Sequence, residues 1–400
     1  MKHNYPQVTI SKEGEVWLDK GQMWMYRNNV VDLDEKIENG ALVDIITTSG
    51  RYLGTGFVSK ESHITVRILS KDPSVIIDRA FFKRKIQFAY DFRKTLEADN
   101  LTNCRLIFGE ADELPGLVVD RYNDILVCQV SSYGLEQIKA MIYEILLEVL
   151  QADGQDIKGI YERNDIKVRQ KEGLELEKGY WKNSDLPTTT IINENGLKLH
   201  VDVENGQKTG YFLDQKANRY LLRKIAHGKR VLDCFSHTGG FALNAAMGNA
   251  KYVEAVDVSQ TALDQGYNNA KLNNLVKKIT FTKADVFKYL EDCKPGKFDI
   301  IVLDPPAFTK SRRTIDHAYN GYKKINMQAM KLLGRGGYLI TCSWSRFMET
   351  ANFEKMLREA AHEVGVTLKQ VSVTQQNHDH PILWTMEETS YLKFYIFQII

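Results

Sequence analysis

Between Val8 and Ser70 the chain alternates apolar and polar residues in short runs, GALVDIITTSG, RYLGTGFVSK and SHITVRILS, with Ser49-Gly50 as a tight-turn signal. That period of two predicts a small β-barrel. Asp72-Pro73 then marks a linker, because the residue before a proline is driven away from helical angles. From there the period turns helical: Phe82, Ile86, Ala89 and Leu96 share one face, ringed by Lys83, Arg84, Lys85, Arg93 and Lys94. Two apolar strands, GLVVDRY and ILVCQVS, meet at Asn123-Asp124 as an antiparallel pair, and an amphipathic helix is expected from about Leu135 to Leu150. A barrel at residues 1–72 and a central α+β domain at 73–190 follow from this pattern.

Beyond Pro187 comes an apolar hairpin turning at Asn195-Gly196, a dipeptide suited to the left-handed angles of a two-residue turn. A new rhythm follows. Short apolar strands each stop at a polar residue, at Asp233, Asp257, Asp285, Asp304 and Cys342, spaced widely enough for a crossover helix between them. Residues 191–400 are therefore expected to form a doubly wound, mostly parallel, Rossmann-like α/β sheet. In such sheets the carboxyl ends of the strands line the ligand crevice.

The first of these strands enters CFSHTGGFAL, which carries glycines but not the spacing of a dinucleotide loop. Close backbone approach without a pyrophosphate suits S-adenosylmethionine better than NAD. Asp257 is placed to accept from ribose hydroxyls, and Asp285 beside Val286 suits an adenine. Each carboxylate alone could be a helix cap; the series beside one glycine loop is what points to a cofactor.

Composition narrows the partners. The chain is 43% hydrophobic and 26% charged over 400 residues, enough to bury several cores and too apolar for disorder. Its net charge of +2 gives no global field, so a nucleic-acid site must be local. Five cysteines without a Cys-x-x-Cys spacing speak against disulfides and structural zinc, and no metal is expected. Neither a signal peptide nor a membrane-spanning run is visible, so a cytoplasmic protein is expected.

Asp304-Pro305-Pro306-Ala307-Phe308 sets a carboxylate beside a rigid turn, with a ring that could stack on a base. Lys310, Arg312 and Arg313 follow as a local cationic cluster of the right sign for phosphates. Cys342 ends an apolar strand, which puts a thiol at the rim of the sheet, one strand over from Asp304. Methyl transfer to carbon 5 of a pyrimidine needs such a nucleophile, which adds to carbon 6 and makes carbon 5 electron-rich.

These motifs, with QKTGYFLDQKANR, CFSHTGGFAL, DPPAF, GYKKINMQAMKLL and TCSWS, resemble the bacterial large-subunit ribosomal RNA cytosine-C5 methyltransferase family along the whole chain. The resemblance implies an RNA-binding PUA barrel and a cofactor held by Phe212, Gln215, Ser236, Gly239, Asp257 and Asp285. It further implies Cys342 as nucleophile, Asp304 orienting the cytosine, and it favours a homodimer. Pro305-Pro306 departs from relatives that carry a cysteine after the aspartate. Two other readings stay open: a purine nitrogen methyltransferase, which Asp-Pro-Pro-aromatic also suits, and a non-catalytic RNA-binding factor.

Overall fold

Seven elements precede Asp72 in the structure, a computed structural model that describes residues 4–182, 185–308 and 314–400. They are β1 Gln7–Ile10, α1 Lys12–Asp19, β2 Trp24–Tyr26, β3 Val30–Leu33, β4 Leu42–Thr47, β5 Tyr52–Val58 and β6 Ile64–Ser70. The strands bond in the order β2-β6-β5-β4-β1-β3. β2 and β3 end this sheet, yet only Arg27–Asn29 separates them in the chain, so the sheet must curl until its edges approach. Helix α1 departs from the all-strand expectation. Ser11 caps it, accepting from the Gly14 N–H at 3.2 Å, and only Gly14 and Leu18 are buried, too few positions to print a helical period on the sequence.

The next elements are α2 Arg79–Leu96, β7 Asn103–Phe108, β8 Leu117–Tyr122, β9 Ile125–Val130, α3 Tyr133–Gln137, α4 Lys139–Ala152, β10 Gly159–Asn164 and β11 Glu177–Tyr180. Their strands form a second sheet, β11-β10-β9-β8-β7. β8 and β9 pair antiparallel around Asn123, whose φ of 58° lies in the left-handed region that Asn tolerates. The helix expected over 135–150 is two pieces, interrupted at Ile138.

Both sheets belong to one compact unit, residues 1–192 with 201–213 and 378–389. Polar contacts tie them: Arg67 on β6 donates to both carboxylate oxygens of the buried Glu172 at 3.0 and 2.7 Å, and the half-buried Trp24 indole N–H reaches Glu110 at 2.9 Å. Glu172→Ala would leave the Arg67 guanidinium buried without its carboxylate. We expect it to cost about 3–5 kcal/mol of stability, read by thermal denaturation, and an unchanged melting temperature would refute the pair's role.

The second unit holds residues 193–200, 214–377 and 390–400. The hairpin of β12 Thr189–Glu194 and β13 Leu197–Asp202, of which residues 193–200 belong to this unit, leads to α5 Lys216–Ile225, β14 Arg230–Cys234, α6 Gly240–Met247, β15 Tyr252–Asp257, α7 Gln260–Leu272, β16 Ile279–Lys283 and α8 Val286–Asp292. β17 Ile300–Leu303, α9 Ile315–Leu332, β18 Tyr338–Ser343, α10 Thr350–Val364, β19 Leu368–Thr374 and β20 Lys393–Ile399 complete it. The seven strands run β16-β15-β14-β17-β18-β20-β19, parallel through β18, with β20 antiparallel to both neighbours. This is the doubly wound sheet the strand rhythm predicts. From β14 the chain steps outward first to β15 and β16, then returns to β17 and β18 on the other side. The switch point therefore lies where β14 and β17 end side by side, with Cys234 opposite Leu303. No helix is long and apolar enough to cross a membrane among the described residues.

Candidate active site

β14 delivers the chain into Phe235–Gly239, and three of these five residues hold left-handed angles: Phe235 at φ 60°, His237 at 48° and Gly239 at 78°. Such angles are strained for non-glycine residues and persist only when the surroundings impose them. Here they are imposed by hydrogen bonds. Ser236 N–H donates to Val256 O at 3.0 Å, Gly239 N–H to Ser236 O at 2.8 Å, His237 N–H to an Asp257 carboxylate oxygen at 2.9 Å and Ala242 N–H to Asp233 at 2.8 Å. A Cβ at residue 239 would lie 3.3 Å from the Phe281 ring, so the turn into α6 is kept for glycine.

The tight loop leaves acceptors unsatisfied. Ser236 Oγ and Asp233 Oδ1 are buried and have no protein partner among the described residues. Burial pushes the Asp233 carboxyl well above the usual range, opposed by the Ala242 N–H and reinforced by the charges of Asp304 and Asp257. Buried polar atoms of this kind ask for a ligand that donates hydrogen bonds. Asp257 is partly buried at the end of β15, its second oxygen accepting from Ser259 N–H at 2.9 Å. Asp285 is exposed and caps α8 through Lys288 N–H at 3.0 Å, so the cap role is present whatever else it does. Val286 is 1% exposed and its side chain is spent on the core, leaving only backbone to offer a ligand.

Across the switch point stands a second cluster. β17 and β18 are neighbours with Leu303 opposite Thr341, so the next residues, Asp304 and Cys342, meet at the rim. The Gln215 side-chain amide donates to Asp304 Oδ1 at 3.2 Å and lies 3.7 Å from Cys342 Sγ. Its carbonyl accepts from Asn218 at 2.6 Å, and Asn218 in turn accepts from the Thr374 hydroxyl at 2.7 Å. From the other side the Trp344 indole N–H donates to Asp304 at 2.5 Å. Burial pushes the Asp304 carboxyl up to about 6, the Trp344 bond opposing and the Asp214 charge adding to the shift. The fully buried Cys342 thiol is pushed well above its ordinary value, first by burial and then by Asp304, while the Gln215 amide pulls it back. The resting sulfur is thus a neutral thiol beside a carboxyl raised to about 6.

Other residues singled out from the sequence fall as follows. Pro305 is buried and Pro306 exposed. Phe308, partly exposed, has its ring 4.6 Å from that of Tyr322 and 6.0 Å from that of Phe287. Phe212 is partly buried and clusters with the first unit. Lys310, Arg312 and Arg313 lie outside the described residues.

Residues 173–394 match the S-adenosylmethionine-dependent methyltransferase family, and residues 8–71 match a PUA-like domain. Ribosomal RNA large subunit methyltransferase I of Aliivibrio fischeri (strain ATCC 700601 / ES114) is 39% identical over 397 residues, 98% of this chain and 99% of its own. The Klebsiella pneumoniae (strain 342) protein of the same name is 40% identical over 393 residues, 97% of each chain. The chain belongs to the ribosomal RNA large subunit methyltransferase I family. Its cofactor is S-adenosylmethionine, and the orphaned acceptors of the β14 loop fit that ligand's ammonium and hydroxyl donors. Two solved methyltransferases share the fold at 23% identity, each covering 98% of this chain and 100% of its own. One is from Streptococcus mutans, with a TM-score of 0.81, and the other, at 0.83, is complexed with S-adenosylhomocysteine.

Sequence reasoning singled out Gln215 for the cofactor, and the structure sets its amide between Asp304 and Cys342. It passed over Trp344 and Asp214 altogether. It noted Asp233 only as a strand end, though its place before the glycine loop was a usable signal. Lys393 is a further addition: its buried amine, lowered to about 8 by burial, donates to Ser345 O at 2.7 Å and pins the turn after Cys342.

Proposed function

We propose that the protein methylates carbon 5 of a cytosine in large-subunit (23S) ribosomal RNA, with Cys342 as the covalent nucleophile. The observation that carries this reading is the pairing of Cys342 with Asp304 at adjoining strand ends under one Gln215 amide. A methyl transfer to an exocyclic or ring nitrogen would need no thiol there. The PUA-like barrel supplies RNA affinity in this reading, and a ribosomal RNA substrate places the enzyme in the cytoplasm.

The cofactor supplies an electrophilic methyl on a positively charged sulfur. Ser236, Gly239, Asp233 and Asp257 hold it at the ends of β14 and β15. Cys342 loses its proton to Asp304 as Sγ bonds to carbon 6, and Asp304 passes that proton to N3, where the displaced electron pair accumulates. A carboxyl near 6 suits both transfers, since it neither keeps nor refuses the proton at neutral pH. Gln215 holds thiol and carboxylate together and stabilises the sulfur as it becomes anionic. Once carbon 5 carries the methyl, its proton leaves and Sγ is eliminated; with Pro305-Pro306 in place of a second cysteine, Asp304 is the base at hand.

Large-subunit RNA incubated with the enzyme and methyl-labelled cofactor should yield label only in 5-methylcytosine on nucleoside mass spectrometry. Label on a purine nitrogen would replace this reading. Asp257→Ala should weaken S-adenosylmethionine binding by about 1.5–3 kcal/mol, the scale of hydrogen bonds to a charged group. Calorimetry with unchanged affinity would remove Asp257 from the cofactor site.

A further inference from the structure

We propose that Asp214 reads the exocyclic amino group of the target base and so separates cytosine from uracil. The inference rests on the cytosine reading above and adds to it a second carboxylate with its own task.

Asp214 lies in the short turn Leu213–Gln215, immediately before the amide that spans Asp304 and Cys342. Its backbone is fixed by Asn377 N–H, which donates to its carbonyl at 2.8 Å. The residue is 7% exposed. One carboxylate oxygen accepts from the Tyr391 hydroxyl at 2.5 Å, while Oδ1 is buried without a protein partner among the described residues. A carboxylate held this firmly by one oxygen, with the other left over, is an acceptor waiting for a donor.

Its surroundings say which ligand brings that donor. The Tyr391 ring stacks on Trp344 with centroids 6.3 Å apart and planes 26° apart, and Trp344 donates to Asp304. Asp214, Tyr391, Trp344, Asp304, Gln215 and Cys342 thus form one connected cluster on the nucleophile's side of the switch point. The acceptors suited to the cofactor, Ser236 Oγ on the glycine loop and Asp233 Oδ1 at the end of β14, are separately without a protein partner among the described residues. Along its pairing edge cytosine offers an amino donor at position 4 beside the acceptor N3, whereas uracil offers an oxygen at position 4. With Asp304 engaged at N3, the remaining carboxylate matches the amino group and repels the uracil oxygen. A site built around a donor of this kind rejects the analogue lacking it by about 10⁴–10⁵.

The test uses transcripts of large-subunit RNA carrying either cytosine or uracil at the position that the wild-type enzyme methylates. Wild type should prefer cytosine by at least about 10³ in kcat/KM. Asp214→Asn, whose amide can turn its N–H toward a position-4 oxygen, should narrow that preference at least about tenfold, with S-adenosylmethionine affinity within about twofold of wild type. Tyr391→Phe, which frees the anchored oxygen and keeps the ring, should act in the same direction with smaller effect, and it decides the matter should the Asn variant fail to fold. Preference unchanged in the folded variants overturns the inference. Weakened cofactor binding with unchanged preference assigns the carboxylate to the cofactor instead. A wild-type enzyme that methylates no cytosine overturns the underlying reading, a result separable from either of these.

Discussion

Cys342→Ser should abolish methyl transfer, with kcat lowered on the order of 10⁴-fold or more, the scale seen when a covalent nucleophile is removed. A serine hydroxyl fits the same buried space on β18 but supplies almost no anion where a thiol with an ordinary value near about 8.5 can be deprotonated. Cofactor affinity should stay within about twofold, because Ser236, Gly239 and Asp257 do not rely on the sulfur. RNA bearing 5-fluorocytosine at the target gives the sharper readout. Fluorine cannot leave carbon 5 as a proton, so elimination stalls after methyl transfer and wild type should be trapped as a covalent complex. The adduct should require the cofactor and be missing in Cys342→Ser. Full methylation by the serine variant would rule out the covalent route. The neutral resting thiol carries a corollary: with burial and Asp304 both opposing its ionisation, Cys342 should react slowly with alkylating agents in the free enzyme.

Asp304→Asn should lower kcat by about 10²–10⁴, the range for loss of a positioned acid–base group, with cofactor binding preserved. The sign of the accompanying pH effect is fixed by the direction of proton flow. Asp304 accepts the thiol proton as a carboxylate, so kcat/KM of the wild type should fall as pH drops through about 6. The Asn variant should lose that acidic limb. A purely structural aspartate predicts the reverse, because removing its charge eases ionisation of the neighbouring thiol and would raise the rate at a given pH. An Asn variant as active as wild type would leave Asp304 with no part in proton transfer.

Much of the fold is legible in the chain because strands and turns write local signatures. The parallel strands of the second unit are short apolar runs with polar ends, and each end is a position of the crevice. Asn123 and Asn195 adopt the left-handed angles that their turns demand. Helix α1 escaped notice because it buries too little to show a period, and the interruption at Ile138 because apolar residues continue on both sides of it. The PUA-like and methyltransferase families account for most of the chain, and their motifs are contiguous, which is why the cofactor loop and Cys342 could be singled out.

What the sequence by itself determined is therefore the strand order of chemistry: a glycine loop after the first strand, carboxylates after the next three, a thiol at the fifth. Their mutual distances were decided by the tertiary structure alone. Gln215 and Cys342 lie 127 residues apart in the chain, and Asp214 and Tyr391 lie 177 apart. Nothing in local periodicity encodes such pairings. They arise because β14 and β17 are neighbours at a switch point and because β20 returns antiparallel beside β18, bringing the turn before α5 and the residues after Thr389 to the same rim. The charge states were likewise beyond the sequence, since Asp304 near 6 follows from burial and the nearby Asp214 charge, and a neutral Cys342 from burial and the nearby Asp304, surroundings that exist only once the sheet has closed around them.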